Sequence, residues 1–249
     1  MKVQNYEIKS DFAPHLLSYQ RPEAVKDHFQ FLFFYTVLTC IEIYAEIAHL
    51  TTLVYLTKPL LMVSLACFFI TSKTSLEPRQ KQLFPIALFF ALGGDVLLMI
   101  RGMHLFIPGL ASFLIMQLFY ISVFSRQIKT KTTRADSLLS AIPFLGYAIT
   151  LFTYIAPNLT DPVIKVAVAI YAASISVMSW LAFRRRSSVS RVSFLYVFLG
   201  ALLFMVSDSL IAIGRFIAPI PLNGLWVMGT YSAAQLFITL GLIKTNQAE

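Results

Sequence analysis

From residue 30 to residue 243 the chain alternates long apolar runs with short polar joints, and the runs fall at 30–50, 52–71, 83–101, 105–125, 137–156, 163–183, 192–212 and 222–243. Each is close to the ~20 residues that a helix needs to cross ~30 Å of hydrocarbon. Backbone N–H and C=O groups find no water in lipid, so runs of this length predict helices that satisfy themselves, not barrel strands. The joints carry the expected breakers: "TSKTSLEPRQKQ", "SRQIKTKTTRAD", "APNLTDP", "FRRRSSVSR" and "FIAPIPLNG". The pattern predicts an all-α polytopic membrane protein with eight transmembrane helices, a membrane domain over 30–243, and a short tail over 244–249.

Composition agrees with that reading. Of the 249 residues 57% are hydrophobic and only 13% charged, with a mean hydropathy of +0.73, whereas about a quarter of a soluble protein is charged. Residues 1–29 lack an early apolar stretch, so they are expected to be a cytoplasmic lead-in and not a cleaved signal. Cys40 and Cys67 lie inside apolar runs with no metal or disulfide spacing, and read as small core residues.

The net charge of +8 changes the picture only through its placement. Alternate joints hold Lys2, Lys9, Arg21 and Lys26; Lys73, Arg79 and Lys81; Arg126, Lys129, Lys131 and Arg134; Arg184, Arg185, Arg186 and Arg191; and Lys244. The joints between them hold only Arg101, Lys165 and Arg215. Basic residues at the ends of apolar runs set orientation and meet lipid headgroups, so both termini are expected in the cytoplasm and no nucleic-acid partner is expected.

The third and fourth runs also resemble the seventh and eighth. "GGDVLLMIRG" answers "VSDSLIAIGR", "IPGL" answers "PLNGL", and "QLFYI" answers "QLFIT". Both copies run the same way through the membrane, so a parallel repeat of four helices plus four is expected.

Against this apolar background the polar residues inside the runs stand out: Glu42, Glu46 and His49 in the first, Lys58 in the second, Asp95 in the third, Gln117 in the fourth, Asp208 in the seventh and Gln235 in the eighth. A charge at a helix centre costs ~2.5–3.5 kcal/mol on insertion scales, so these groups are expected to face one another inside the bundle. Glu42, Glu46 and His49 are spaced four and then three apart and share one helical face. Glu46, Lys58, Asp95 and Asp208 then sit between mid-membrane and the non-cytoplasmic half, with Arg101 and Arg215 near that surface. Four carboxyl groups sharing a dry interior with one lysine cannot all be charged. A carboxyl that keeps its proton is what a general acid requires.

Each group also has a structural reading. Glu42 reads as structural, Lys58 as a lock between helices, Gln117 and Gln235 as interhelical hydrogen-bonding glue, and Arg101 and Arg215 as side chains snorkelling to the interface. His49 and His104 are too few for a histidine metal site. No P-loop, GxSxG elbow or HExxH occurs, and Gly93 and Gly94 read as a point of close helix packing.

At these residues the sequence resembles the YhhN family of bacterial membrane proteins and its animal relatives, the lysoplasmalogenases. The resemblance rests on "TKPLL" at 57–61, "GGDVLL" at 93–98, "GLASFLIMQLFYISVF" at 109–124, "SDSLIAIGRF" at 207–216 and "YSAAQLFI" at 231–238. It implies an eight-helix enzyme of the bacterial inner membrane that hydrolyses the vinyl ether bond of a lysoplasmalogen, releasing a fatty aldehyde and a glycerophospho-headgroup. It places functional weight on Lys58, Asp95, Tyr120, Asp208, Tyr231 and Gln235. One departure stands out: the pattern often has a histidine where this chain has Gln117.

Vinyl ether hydrolysis needs an acid to protonate the β-carbon, an anion near the oxocarbenium ion and a positioned water, much as glycosidases use two carboxylates. No metal or organic cofactor is expected. Asp95 and Asp208 are expected as the acid and base, Glu46 and Lys58 as tuning groups, and Arg101 and Arg215 as phosphate contacts. The competing readings are a proton-coupled transporter or lipid carrier, and a scaffold whose buried ion pairs serve assembly.

Overall fold

The computed structural model describes residues 22–100, 105–129 and 133–245. The expectations for most of the lead-in, for Arg101, His104 and Lys131, and for the tail beyond residue 245 lie outside the described residues. Eight helices form: α1 (Pro22–Ile47), α2 (Thr51–Thr71), α3 (Pro78–Met99), α4 (Phe106–Gln127), α5 (Arg134–Ile155), α6 (Pro162–Arg184), α7 (Arg191–Phe216) and α8 (Asn223–Ile243). All eight contain a stretch long and apolar enough to cross a membrane. The chain is an integral membrane protein.

The ends of the helices differ from the apolar runs for local reasons. Helix α3 begins at Pro78, five residues before its apolar run, because Pro78 occupies the first turn and the Glu77 N–H donates to Gln80 Oε1 at 3.1 Å. Polar first turns of this kind are helical without being apolar. Asp161 Oδ1 accepts from the Val163 N–H at 2.7 Å at the start of α6, and Thr133 Oγ1 accepts from the Asp136 N–H at 3.1 Å at the start of α5.

Helix contacts close a ring of seven. α8 packs on α1, α1 on α2, α2 on α3, α3 on α4, α4 on α6, α6 on α7 and α7 on α8. Helix α5 stays outside the ring, against α6 and α7, where the Tyr147 hydroxyl donates to the Met205 carbonyl at 2.9 Å. α8 is the most enclosed helix: 61% of its membrane window is buried, against 22% for α1 and α5.

One end of the bundle carries the basic joints. A Cβ added at Gly200 would stand 2.8 Å from the Ala234 carbonyl oxygen, and one at Gly241 would stand 2.9 Å from the Val197 backbone nitrogen. The α7 and α8 backbones therefore touch, as small residues allow between membrane helices. At Gly93 and Gly94 the same Cβ would meet Ser112 Oγ at 2.8 Å and the Phe113 ring at 2.7 Å, so α3 and α4 also close on glycine.

Arg185, in the 3-10 turn Arg185–Ser187 after α6, departs from the expectation that the basic joints meet lipid headgroups. Its side chain is fully buried; Nε donates to Gln127 Oε1, Nη2 donates to Ser193 Oγ at 2.9 Å, and the guanidinium lies 5.5 Å from the Phe124 ring centre. It ties α4, α6 and α7 together at their basic ends.

Gly200→Ala is expected to destabilise the protein by about 1–3 kcal/mol, because the new methyl meets backbone that cannot rotate away. Gly146→Ala, with nothing within 4 Å of its added Cβ, is expected to be neutral or to stabilise by up to about 1 kcal/mol. Thermal unfolding of both variants in detergent checks the contrast.

Candidate active site

Each of the seven ring helices sends polar side chains inward, and the outer helix α5 sends none of the candidates. Asp95 and Asp208 occupy equivalent depths, seventeen residues past Pro78 on α3 and past Arg191 on α7. Each accepts a hydrogen bond from a tyrosine on another helix. Tyr231 Oη on α8 donates to Asp95 Oδ2 at 2.8 Å, and Tyr171 Oη on α6 donates to Asp208 Oδ2 at 2.5 Å. Both tyrosines stand between two and three turns into their helices. The two pairs thus lie at one level of the ring.

A second cluster adjoins Asp95. Lys58 Nζ lies 2.6 Å from Glu46 Oε1 and 3.6 Å from Glu42 Oε1. Glu42 is fully buried, and its other oxygen accepts a hydrogen bond from the Thr57 hydroxyl. Glu42 therefore bridges α1 to α2, as its structural reading anticipated. Lys58, Glu42 and Asp208 are charged groups in the surroundings of Asp95. Gly224 at the start of α8 makes room for Glu46, since a Cβ there would stand 2.6 Å from the Glu46 Cβ.

Lys58 and Glu46 also reach open space. A cavity of about 200 Å³ is lined by Glu46, His49, Tyr55, Lys58, Leu98 and Met99. Pro59 follows Lys58 inside α2 and cannot donate to the Tyr55 carbonyl, which loosens the helix beside this cavity. His49 turns the chain from α1 to α2 with φ of 56°, a conformation histidine tolerates better than most residues.

The ring wall is open at this level elsewhere too. Every residue of α7 from Asp208 to Gly214 is partly exposed, and seven residues cover all faces of a helix. Nearer the basic end the same helix alternates buried Val197, Ala201 and Phe204 with exposed Leu195 and Leu199. The face of α7 that turns inward beyond Asp208 is accessible.

The remaining candidates divide. Tyr120 and Gln235 meet across the ring: Tyr120 Oη donates to Gln235 Oε1 at 2.5 Å, and Gln235 Nε2 lies 3.4 Å from Met116 Sδ. Gln117 is fully buried. Gln235 makes a hydrogen bond between helices, in keeping with a role as interhelical glue. Arg215 is exposed at the end of α7, with its guanidinium 3.9 Å from the centre of the Phe106 ring. That contact joins α7 to α4 and leaves the arginine at the rim.

Tyr171 is the residue sequence reasoning missed, along with Thr57, Met116 and Met62, whose sulfur lies 3.5 Å from Tyr231 Oη. In an apolar helix a tyrosine reads as packing. Its one legible signal was depth, since it stands as far into α6 as Tyr231 stands into α8.

A family model described as the YhhN family matches residues 53–242. The chain belongs to the YhhN family. Its YhhN relatives include a Bos taurus protein named lysoplasmalogenase TMEM86A, 31% identical over 174 residues covering 69% of each chain. The Homo sapiens protein of the same name is 28% identical over 180 residues, with 69% of each chain covered. A Mycobacterium tuberculosis protein named lysoplasmalogenase is 26% identical over 164 residues, covering 66% of this chain and 61% of its own. No solved structure matches the chain.

Lys58→Met leaves Glu42 and Glu46 facing each other without their cation. Removing one partner of a buried pair costs about 3–5 kcal/mol, and the partial exposure of Glu46 places this change at the lower end. Adding Glu42→Gln and Glu46→Gln is expected to restore most of the loss, read as thermal unfolding in detergent. A neutral Lys58→Met would mean that the cluster contributes nothing to stability.

Proposed function

We propose that the protein is a lysoplasmalogenase-like hydrolase that cleaves the vinyl ether bond of a lysoplasmalogen, giving a fatty aldehyde and a glycerophospho-headgroup. The observation that carries this reading is the pair of aspartates on separate helices, each held by a tyrosine, at one level of the ring. The names of the YhhN relatives supply the substrate class.

In the proposed reaction one carboxyl group gives its proton to the vinyl β-carbon, and the former double bond supplies the electron pair. The resulting oxocarbenium ion is stabilised by the second, ionised carboxylate. Water adds to the cationic carbon and loses a proton to that carboxylate. The hemiacetal then collapses, its hydroxyl proton passing to the ether oxygen, so one water is consumed and an aldehyde and an alcohol leave.

Tyr231 and Tyr171 fix the carboxyl groups, Lys58 and Glu46 tune Asp95, and Tyr120 with Gln235 braces the floor of the site. Arg215 at the rim and Arg101 take the phosphate of the headgroup. The single hydrocarbon chain lies between helices, entering beside the open stretch of α7. The basic end faces the cytoplasm, which puts both termini there and the aspartates in the opposite half of the membrane. The same reading treats α3 with α4 and α7 with α8 as copies, in line with the matched depths of their aspartates.

Purified protein in detergent is expected to release aldehyde from a lysoplasmenyl phospholipid. Asp95→Asn and Asp208→Asn are expected to lower turnover by about 10²–10⁴-fold, the usual contribution of a general acid or base, while still folding. Absence of turnover by the unmodified protein, across headgroups and pH, would sink the assignment and bring the lipid-carrier reading forward.

A further inference from the structure

The cavity beside Lys58 takes no part in the proposed reaction at the aspartates. It opens where α1 and α2 diverge from their turn: Glu46 and His49 face it from α1 and the turn, Tyr55 and Lys58 from α2, and Leu98 and Met99 from the end of α3. Tyr55 and Lys58 are three residues apart and share a face of α2. Leu98 stands three residues past Asp95, so on α3 the cavity lies about one turn, ~4.5 Å, from the aspartate, toward the end away from the basic joints. At about 200 Å³ it is smaller than the ~300–1,000 Å³ of sites that enclose drug-sized molecules, and it suits one end of a lipid.

The lining decides which end. Lys58 holds Glu46 Oε1 at 2.6 Å, yet the Glu46 side chain keeps 20% of its surface accessible, against 12% for Lys58 and none for Glu42. A carboxylate has about four acceptor sites, so Glu46 has capacity for a second donor. A hydrocarbon chain here would strip water from Glu46 and Lys58 and return no hydrogen bond. An anion would meet two carboxyl groups, Glu46 and the Glu42 that lies 3.6 Å from Lys58, against a single ammonium. A cation with N–H donors meets an accessible carboxylate and the half-exposed Tyr55 ring.

We propose that this cavity is the subsite for an ammonium-bearing headgroup, with Glu46 accepting a hydrogen bond from the ammonium and Tyr55 packing against it. The inference rests on the hydrolase reading for the identity of the lipid. The phosphate stays with the arginines assigned to it, and the glycerol bridges the turn between the cavity and Asp95. A lipid whose headgroup bears no cation loses its contacts here and keeps those at the aspartates.

The test uses two saturated ether analogues of equal chain length, an alkyl lysophosphoethanolamine and an alkyl lysophosphoglycerol, which have no vinyl bond to cleave. Binding to purified protein in detergent is read as the rise in unfolding temperature with analogue concentration, each variant against its own ligand-free value. The unmodified protein should bind the ethanolamine analogue at least about 10-fold more tightly than the glycerol analogue. Glu46→Gln should erase most of that preference. Tyr55→Leu, which leaves the pair of Glu46 and Lys58 in place, should lower it about 2–5-fold. Both changes should act by weakening the ethanolamine analogue alone. Equal binding of the two analogues by the unmodified protein would overturn the proposal, as would a preference that survives in both variants, or variants that lose both analogues alike. Aldehyde release from a lysoplasmenyl lipid is measured separately, so each of those results leaves the hydrolase reading intact. A preference that holds in a protein without turnover removes the hydrolase reading and keeps the subsite, then that of a lipid carrier.

Discussion

Hydrocarbon offers a carboxyl group no hydrogen bond, so an acid inside this bundle must find its partner on another helix. That constraint organises the molecule. Asp95 on α3 reaches Tyr231 on α8, Asp208 on α7 reaches Tyr171 on α6, and Lys58 on α2 reaches Glu42 and Glu46 on α1. With the α4 to α8 bond of Tyr120 and Gln235, these links draw on each helix of the ring. Dispersion alone would pack apolar helices in many arrangements, because lipid tails are as apolar as leucine. The polar links distinguish one arrangement from the others.

The two ends of the ring are built differently. Toward the basic end the helices close backbone to backbone at Gly200 and Gly241, and Arg185 bonds across α4, α6 and α7. Toward the other end α7 is accessible all round and a cavity opens beside Lys58. Under the proposed reading the lipid enters at this open end, while the close α7–α8 contact lies nearer the basic end.

Much of this was legible before any coordinates. Apolar runs near twenty residues have few interpretations, which is why all eight helices were foreseen, while helix ends with polar residues were missed, such as the first turn at Pro78 and the last turn of α7, which runs to Phe216. Charges in hydrocarbon are equally conspicuous, so Asp95, Asp208 and Lys58 announce themselves. Tyr171 does not, because a phenol is at home in a core and its role depends on what lies opposite. The outer position of α5 was hidden for a related reason: its composition matches that of its neighbours, and only the absence of inward-facing polar groups marks it. Arg185 was concealed among three consecutive arginines, of which it alone is fully buried.

The placement of α8 bears on how the protein is made. It is the last of the eight described helices and the most enclosed, and it supplies the hydroxyl for an aspartate 136 residues earlier. While the ribosome is still extending the chain, α3 must enter the membrane with Asp95 lacking its phenol partner, and the ring stays open along the seam between α1 and α7. The membrane insertion machinery thus has to shelter an incomplete ring until its final segment arrives. A nascent chain that stalls before α8 leaves Asp95 with the Lys58 cluster but without its phenol partner.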